Sequence, residues 1–187
     1  MIDLSDPEDT GIVPNVQYPS LRRMCPSDAS AITEALWDPE LARWLAAFSL
    51  PGDPVDYQRY LDFLCDPDVF ARVVCVDGNP VGVISLGTEL SFWIKRAFHQ
   101  RGLGLWAVRS FLDQLPDDTG VVNACCMFEN KTAAAFLTRL GFRRTTERFR
   151  RFSFAHGHAV EFLRFQLCVS GQDQFRKVGP NPRPRDL

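Results

Sequence analysis

The feature that most constrains this chain is a short glycine turn, His99-Gln100-Arg101-Gly102-Leu103-Gly104, set between two runs of different period. Before it, Glu89 to Ile94 (ELSFWI) has the apolar and aromatic residues of a strand. After it, Leu105 to Leu115 (LWAVRSFLDQL) repeats apolar residues at helical spacing. Glycine at a strand-to-helix turn lets backbone approach a ligand closely. The first turn of the following helix has N–H groups without intrahelical partners and carries the positive end of the helix dipole, so it can hold phosphate oxygens. Arg101 adds a fixed positive charge beside it. The spacing is not that of a P-loop, because Leu105 and Trp106 stand where Lys and Ser or Thr are needed, and it is not G-x-G-x-x-G.

The flanking segments give the turn its setting. Tyr18 to Met24 reads as a first strand, and Pro26-Ser27-Asp28 as a helix start with a capping residue. Ile32, Leu36 and Trp37 recur at helical spacing, Pro39 interrupts them, and Leu41, Trp44 and Leu45 resume the pattern. Pro51-Gly52-Asp53-Pro54 breaks the chain before a helix from Val55 to Leu64, where Tyr57 and Tyr60 read as packing aromatics, with one or two aromatics of this helical segment expected to line a cleft if an acceptor binds there. Phe70 to Val76, Val81 to Leu86 and Glu89 to Ile94 form three consecutive antiparallel strands, with Asp77-Gly78-Asn79-Pro80 as a hairpin turn. Val121 to Phe128 is a strand, Lys131 to Leu140 a helix stopped by Gly141, and Arg144 to Phe154 and Ala159 to Val169 the final strands. The organisation expected is a loose acidic arm over 1–16, a domain over 17–169 and a Pro-rich disordered tail over 170–187.

The totals narrow the function classes. A net charge of −2 gives no reason for a nucleic-acid partner, which needs a basic surface. No apolar run approaches the ~18 residues of a membrane span, and the acidic start MIDLSDPEDT is unlike a signal peptide. The six cysteines lack C-x-x-C spacing and read as free thiols, which fits a cytoplasmic protein. No metal site is expected, since the pair His156 and His158 has no third ligand.

His99 to Gly104 resembles the pyrophosphate loop, [RQ]-x-x-G-x-[GA], of the GNAT superfamily of acyl-CoA-dependent N-acyltransferases. ELSFWIKRAFHQRGLG is similar to the strand and loop of the branch containing the ribosomal-protein N-terminal acetyltransferases RimJ and RimL. The segment from Asn130-Lys131-Thr132-Ala133 to Leu140-Gly141-Phe142 resembles that branch's N-x-x-S segment ending in L-G-F. The resemblance implies an α/β (α+β) GNAT fold: a mixed, mostly antiparallel sheet of six to seven strands flanked by helices, with a parallel pair splayed at the cofactor site. Acetyl-CoA is then the acyl donor.

By the same resemblance, the backbone of Phe92, Trp93 and Ile94 pairs with the pantetheine amides like an added strand. A backbone N–H there polarises the thioester carbonyl. Amides of Gln100, Arg101, Gly102, Leu103, Gly104 and Leu105 hold the pyrophosphate, with His99 shaping the loop where the family has Arg or Gln. Asn130 contacts the cofactor arm or fixes a water near it. Glu89 is the leading catalytic base candidate and Glu129 a second one. Ala133 replaces the serine of N-x-x-S, and Leu137 stands where many members have a tyrosine that protonates the leaving thiolate. Cys125 and Cys126 alternate faces of a strand, so one can approach the cleft, although a small core residue is the expected role of each; Cys126 or water is a substitute donor.

The acceptor implied is a primary amine, in the nearest branch a protein or peptide N-terminus. A lysine with pKa near ~10.4 is almost wholly protonated at pH 7.5, which costs roughly 4 kcal/mol of reactive population, whereas an α-amino group near ~7.8 costs well under ~1 kcal/mol. The alternatives are a small-molecule amine acceptor and a catalytically weak acyl-CoA-binding regulatory module. The apolar final strands leave room for a homodimer.

Overall fold

Among the described residues, seven strands form one sheet in the order β1-β2-β3-β4-β5-β7-β6. They are β1 Pro19–Arg22, β2 Phe70–Val76, β3 Asn79–Leu86, β4 Leu90–Ile94, β5 Val121–Met127, β6 Arg143–Ser153 and β7 His158–Cys168. This computed structural model describes residues 18–169, so the expected arm and tail lie outside the described residues. Among the described residues, five α-helices accompany the sheet: α1 Ala29–Leu36, α2 Pro39–Ala42, α3 Pro54–Cys65, α4 Leu103–Leu112 and α5 Lys131–Arg139. The expected mixed α/β architecture is the one observed.

Alternation along the strands sorts the core onto two faces. Val74, Ile84, Leu90, Ala124, Leu163 and Phe165 pack with Val108 and Phe111 of α4 and Leu137 of α5. Val73, Cys75, Val83 and Trp93 face the other way, against Ile32 and Leu36 of α1 and Tyr57 and Leu64 of α3. That second layer covers β2, β3 and β4. Across β5, β7 and β6 the same face instead carries Cys125, Arg164, Phe162, Phe149 and Arg151, in register across the strands.

Every neighbouring pair of strands is antiparallel except β4 and β5, which are parallel and joined at one residue pair, Leu90 with Ala124. Beyond that pair the two strands separate, so the edge of β4 that faces β5 has unpaired backbone from Ser91 onward. On its other edge β4 is fully paired with β3, from Gly82–Ile94 to Leu86–Leu90. The opening therefore lies inside the sheet, between its two halves.

Local chemistry explains where the elements start and stop. Asp53 caps α3, its side chain accepting from the Val55 N–H at 2.8 Å, with Pro54 in the first helical position. Asp28 precedes α1 but does not cap it. Its carboxylate turns back to Arg22 and to the Cys25 N–H instead. The β2–β3 turn is tighter than the four residues expected: Asp77 and Gly78 both have positive φ, 51° and 79°, the type I′ pattern, and Asn79 and Pro80 belong to β3. After Pro39 the helix resumes only for the four residues of α2, and a 3-10 turn over Arg96–Phe98 links β4 to the glycine turn.

Candidate active site

The glycine turn adopts a conformation suited to an anion. Gln100 and Gly102 both have left-handed backbone, with φ of 61° and 77°, and Gly102 is the residue that starts α4. Among the described residues, the amides of Gln100 to Leu105 make no backbone hydrogen bond. Unpaired amides at a helix start are donors that a phosphate can use. His99 lies just ahead of them, its Nε2 donating to the Ile94 carbonyl at 2.7 Å. The ring thus ties the loop to the end of β4, a shaping role.

Gly104 is close to α5. A Cβ there would stand 3.5 Å from the Phe136 ring, an ordinary contact, and Phe136 also packs on Phe92 with ring centroids 5.1 Å apart. One phenyl ring therefore spaces the first turn of α4 from β4. The Trp93 side chain is buried on the opposite face, where its Nε1 donates to the Tyr60 hydroxyl at 2.9 Å. Burial pushes the Tyr60 hydroxyl upward, so it remains protonated.

Asn130 is the N-cap of α5, its Oδ1 accepting from the Ala133 N–H at 2.9 Å. Its amide nitrogen has no partner among the described residues and stays available beside the opening. Leu137 is buried in the core, so no hydroxyl approaches from that turn. Cys126 is buried on the helix-covered face as well. The cysteine that faces the other way, toward Glu89, is Cys125.

Glu89 occupies the bend just before β4 rather than the strand itself. Its Oε2 accepts from the Cys125 thiol at 3.0 Å and from Arg151 Nη2 at 2.9 Å, and Arg164 Nη2 lies 3.7 Å from Oε1. Burial opposes the charge on Glu89, but the bonds from Cys125 and Arg151 and the two guanidinium charges outweigh it and hold the carboxyl below its usual range. The Cys125 thiol is pushed up to about 12, first by burial and then by its bond to the carboxylate. Arg151 stacks on Phe149 and Phe162, with its guanidinium carbon 5.3 Å from each ring centroid. Arg164 Nε is 3.2 Å from Glu147 Oε2, off the hydrogen-bond axis, so that contact pairs charge without a directed bond.

The structure thus gathers the expected residues into two groups around one opening: Phe92 to Ile94 and His99 to Leu105 with Asn130 on one side, and Glu89 at the closed end of the splay. Glu129 is exposed and holds no ion pair or side-chain hydrogen bond among the described residues. Sequence reading missed Arg151, Arg164 and Ser85. Ser85 is buried on the Glu89 face, its hydroxyl without a partner among the described residues. A serine in an apolar strand gives no signal of its own, whereas the two-residue spacing of Phe149 and Arg151 puts both on one face of a strand.

A family model for the acetyltransferase (GNAT) domain matches residues 20–143, more than half of the chain. The chain belongs to the GNAT acetyltransferase family. Its reaction is accordingly acyl transfer from acetyl-CoA to an amine. Among solved structures, it is similar to RimJ of Mycobacterium smegmatis in complex with CoA-disulfide, at 18% identity over 80% of this chain and 81% of that one, TM-score 0.66. A Salmonella typhimurium acetyl transferase that modifies the N-terminal serine of ribosomal protein L7/L12 is 12% identical over 80% of this chain and 94% of that one, TM-score 0.66. Spermidine N-acetyltransferase of Vibrio cholerae is 16% identical over 81% and 95%, TM-score 0.65. At these identities the likeness establishes a shared fold. No curated protein sequence matches the chain. No helix among the described residues is long and apolar enough to cross a membrane.

Proposed function

We propose that this GNAT acetyltransferase acts on an α-amino group, the N-terminus of a protein or peptide, by direct transfer in a ternary complex. The observation that carries the reading is the pairing of Glu89 with Arg151 and Arg164. A carboxylate held this firmly ionised is a weak base. It cannot readily take a proton from a lysine or polyamine ammonium near ~10.4, but an α-amino group near ~7.8 is already partly neutral at pH 7.5 and asks little of it. Glu89 then serves as the negative charge that receives the amine and passes its proton on through water.

The remaining residues divide the work. The unpaired amides of Gln100 to Leu105 fit a pyrophosphate, and the open edge of β4 at Phe92, Trp93 and Ile94 fits the amides of a pantetheine arm. Bound acetyl-CoA supplies a thioester carbonyl: the amine nitrogen bonds to its carbon as the C–S bond breaks, and CoA leaves as a thiolate. A β4 backbone N–H at the splay polarises that carbonyl. With Leu137 in the core and Cys126 buried on the helix-covered face, the thiolate takes its proton from solvent.

The test is release of free CoA from acetyl-CoA at pH 7.5 with three acceptor classes: short peptides with free N-termini, an Nα-blocked lysine peptide, and spermidine. Preference for the free N-terminus supports the reading. Faster release with blocked lysine or spermidine overturns it in favour of a side-chain or small-molecule acceptor. Tight acetyl-CoA binding with no release across all three identifies a binding module.

A further inference from the structure

The most one-sided charge on the described surface lies on the β6–β7 hairpin. These two strands carry Arg143, Arg144, Arg148, Arg150, Arg151 and Arg164 against Glu147 and Glu161, a local +4 in a chain whose net charge is −2. β6 is the outer strand of the sheet, eleven residues long and mostly exposed. Its outward backbone groups pair with no other strand. Arg143, Arg144 and Arg150 have no carboxylate partner among the described residues, and Arg150 donates to the Ala159 carbonyl at 2.7 Å. Phe152 and Phe154 stand exposed near the far end, packed edge-to-face with centroids 5.3 Å apart.

From this placement we propose that β6 is a docking strand for an acidic, extended polypeptide segment. Three arguments favour that occupant. The row of unpaired N–H and C=O groups on an edge strand is matched in spacing by another extended chain, whose alternate side chains would then lie over Arg148 and Arg150 on one face and over Phe149 and Arg151 on the other. The charge excludes the commonest competitor, a second copy of the same strand, because pairing β6 with itself would set arginines against arginines. The strand is continuous with the candidate site, since Arg151 reaches Glu89 from within it. In identifying the partner with the acceptor polypeptide, the inference rests on the function proposed above; docking itself does not. The acceptor would then carry aspartate or glutamate in the residues that follow its N-terminus.

Fluorescence anisotropy with a labelled twelve-residue peptide alternating glutamate and valine tests docking without any acyl transfer. Its glutamine isostere and a twelve-nucleotide oligouridylate serve as comparisons. The glutamate peptide is expected to bind, and to weaken about tenfold or more between 50 and 300 mM NaCl as screening shortens the reach of the arginines. Arg143→Gln/Arg144→Gln/Arg150→Gln should lose about tenfold while keeping its circular dichroism spectrum and its acetyl-CoA affinity. If the triple variant misfolds, Arg143→Gln/Arg150→Gln gives the same comparison. The proposal is overturned by absence of binding, by equal binding of the isostere, by tighter binding of the oligouridylate, or by folded variants that bind as well as native protein. Should the chain release no CoA with any amine, the function above fails while the anisotropy result still decides docking. Docking without faster acetylation of acidic-leading peptides would separate the partner from the acceptor.

Discussion

Arg151 Nη2 lies 2.9 Å from Glu89 Oε2 although sixty-two positions separate the two residues in the chain. The contact crosses two strands, since Glu89 precedes β4 and Arg151 sits on β6, with β5 and β7 between. Cys125 on β5 and Arg164 on β7 close on the same carboxylate from below. The two halves of the sheet, joined by a single β4–β5 residue pair, are therefore also joined by one carboxylate.

The state of that carboxylate sets the expected pH dependence. Glu89 stays ionised throughout the neutral range, so the rise of kcat/KM belongs to the acceptor amine and levels above about pH 8 for a free N-terminus near ~7.8. Glu89→Gln should lower kcat/KM by about 100-fold, by a similar factor at pH 6 and pH 8.5. Paired pH–rate profiles check this. A limb that moves in the variant would instead make Glu89 the titrating group.

Arg151 should act through Glu89 and not through the donor site. Replacing it with glutamine removes a charge-assisted hydrogen bond of about 1.5–3 kcal/mol and should cost at least about tenfold in kcat/KM for the acceptor. Affinity for acetyl-CoA should be unchanged, because the turn from Gln100 to Leu105 is untouched. Arg151→Lys keeps the charge and should recover part of the rate. Titration calorimetry with acetyl-CoA beside steady-state kinetics separates the two effects.

Acid stability should be governed in part by Asp28. Both its oxygens lie 2.6 Å from the Arg22 fork, and this pairing, against the opposing effect of burial, holds its carboxyl well below the usual range. A carboxylate depressed in the folded state contributes its stability fully above the unfolded value near ~3.9 and loses it as pH falls below that value toward the folded one. Asp28→Asn should cost about 3 kcal/mol at pH 6.5, the low end for a broken buried pair because Arg22 is partly exposed. Urea midpoints at pH 6.5 and pH 3 should show the gap to native protein narrowing in acid.

Much of this fold was legible because its signals are local. The glycine turn, the three-strand run from Phe70 and the Asn130 segment each announce their element within a few residues, and the turn chemistry at Asp77-Gly78 needs no distant partner. The left-handed turn ahead of α4 was legible for the same reason, since backbone amides at a helix start are fixed by the turn alone. The acceptor side was not. Glu89 could be singled out, but its partners Arg151 and Arg164 arrive from strands 62 and 75 positions later, and only the β5-β7-β6 order brings them beside it. Asp28 misled for a related reason: its position before α1 suggests a cap, and the competing Arg22 contact comes from β1.

Cysteine reactivity should follow environment. Cys65 and Cys168 are exposed, whereas the Cys125 thiol is pushed up to about 12 by burial and by its bond to Glu89. At pH 8 Cys125 is therefore held as the thiol, the unreactive form. Iodoacetamide at pH 8 should label Cys65 and Cys168 and spare Cys125, read by peptide mass mapping. Rapid labelling of Cys125 would show that its bond to Glu89 is not maintained in solution.

Gly102 and Gly104 should answer differently to substitution, although both belong to the same turn. Gly102 has φ of 77° at the start of α4, a conformation that costs any L side chain about 1–2 kcal/mol, and a tryptophan there would also crowd the unpaired amides. A Cβ at Gly104 meets only the Phe136 ring at ordinary contact distance. Gly102→Trp should therefore abolish acetyl-CoA binding in calorimetry with its circular dichroism spectrum preserved, while Gly104→Ala should keep the fold with little loss. Native-like binding by folded Gly102→Trp would move the donor site away from this turn. Loss of the fold in Gly104→Ala would mean that the spacing between α4 and α5 has less tolerance than the 3.5 Å contact implies.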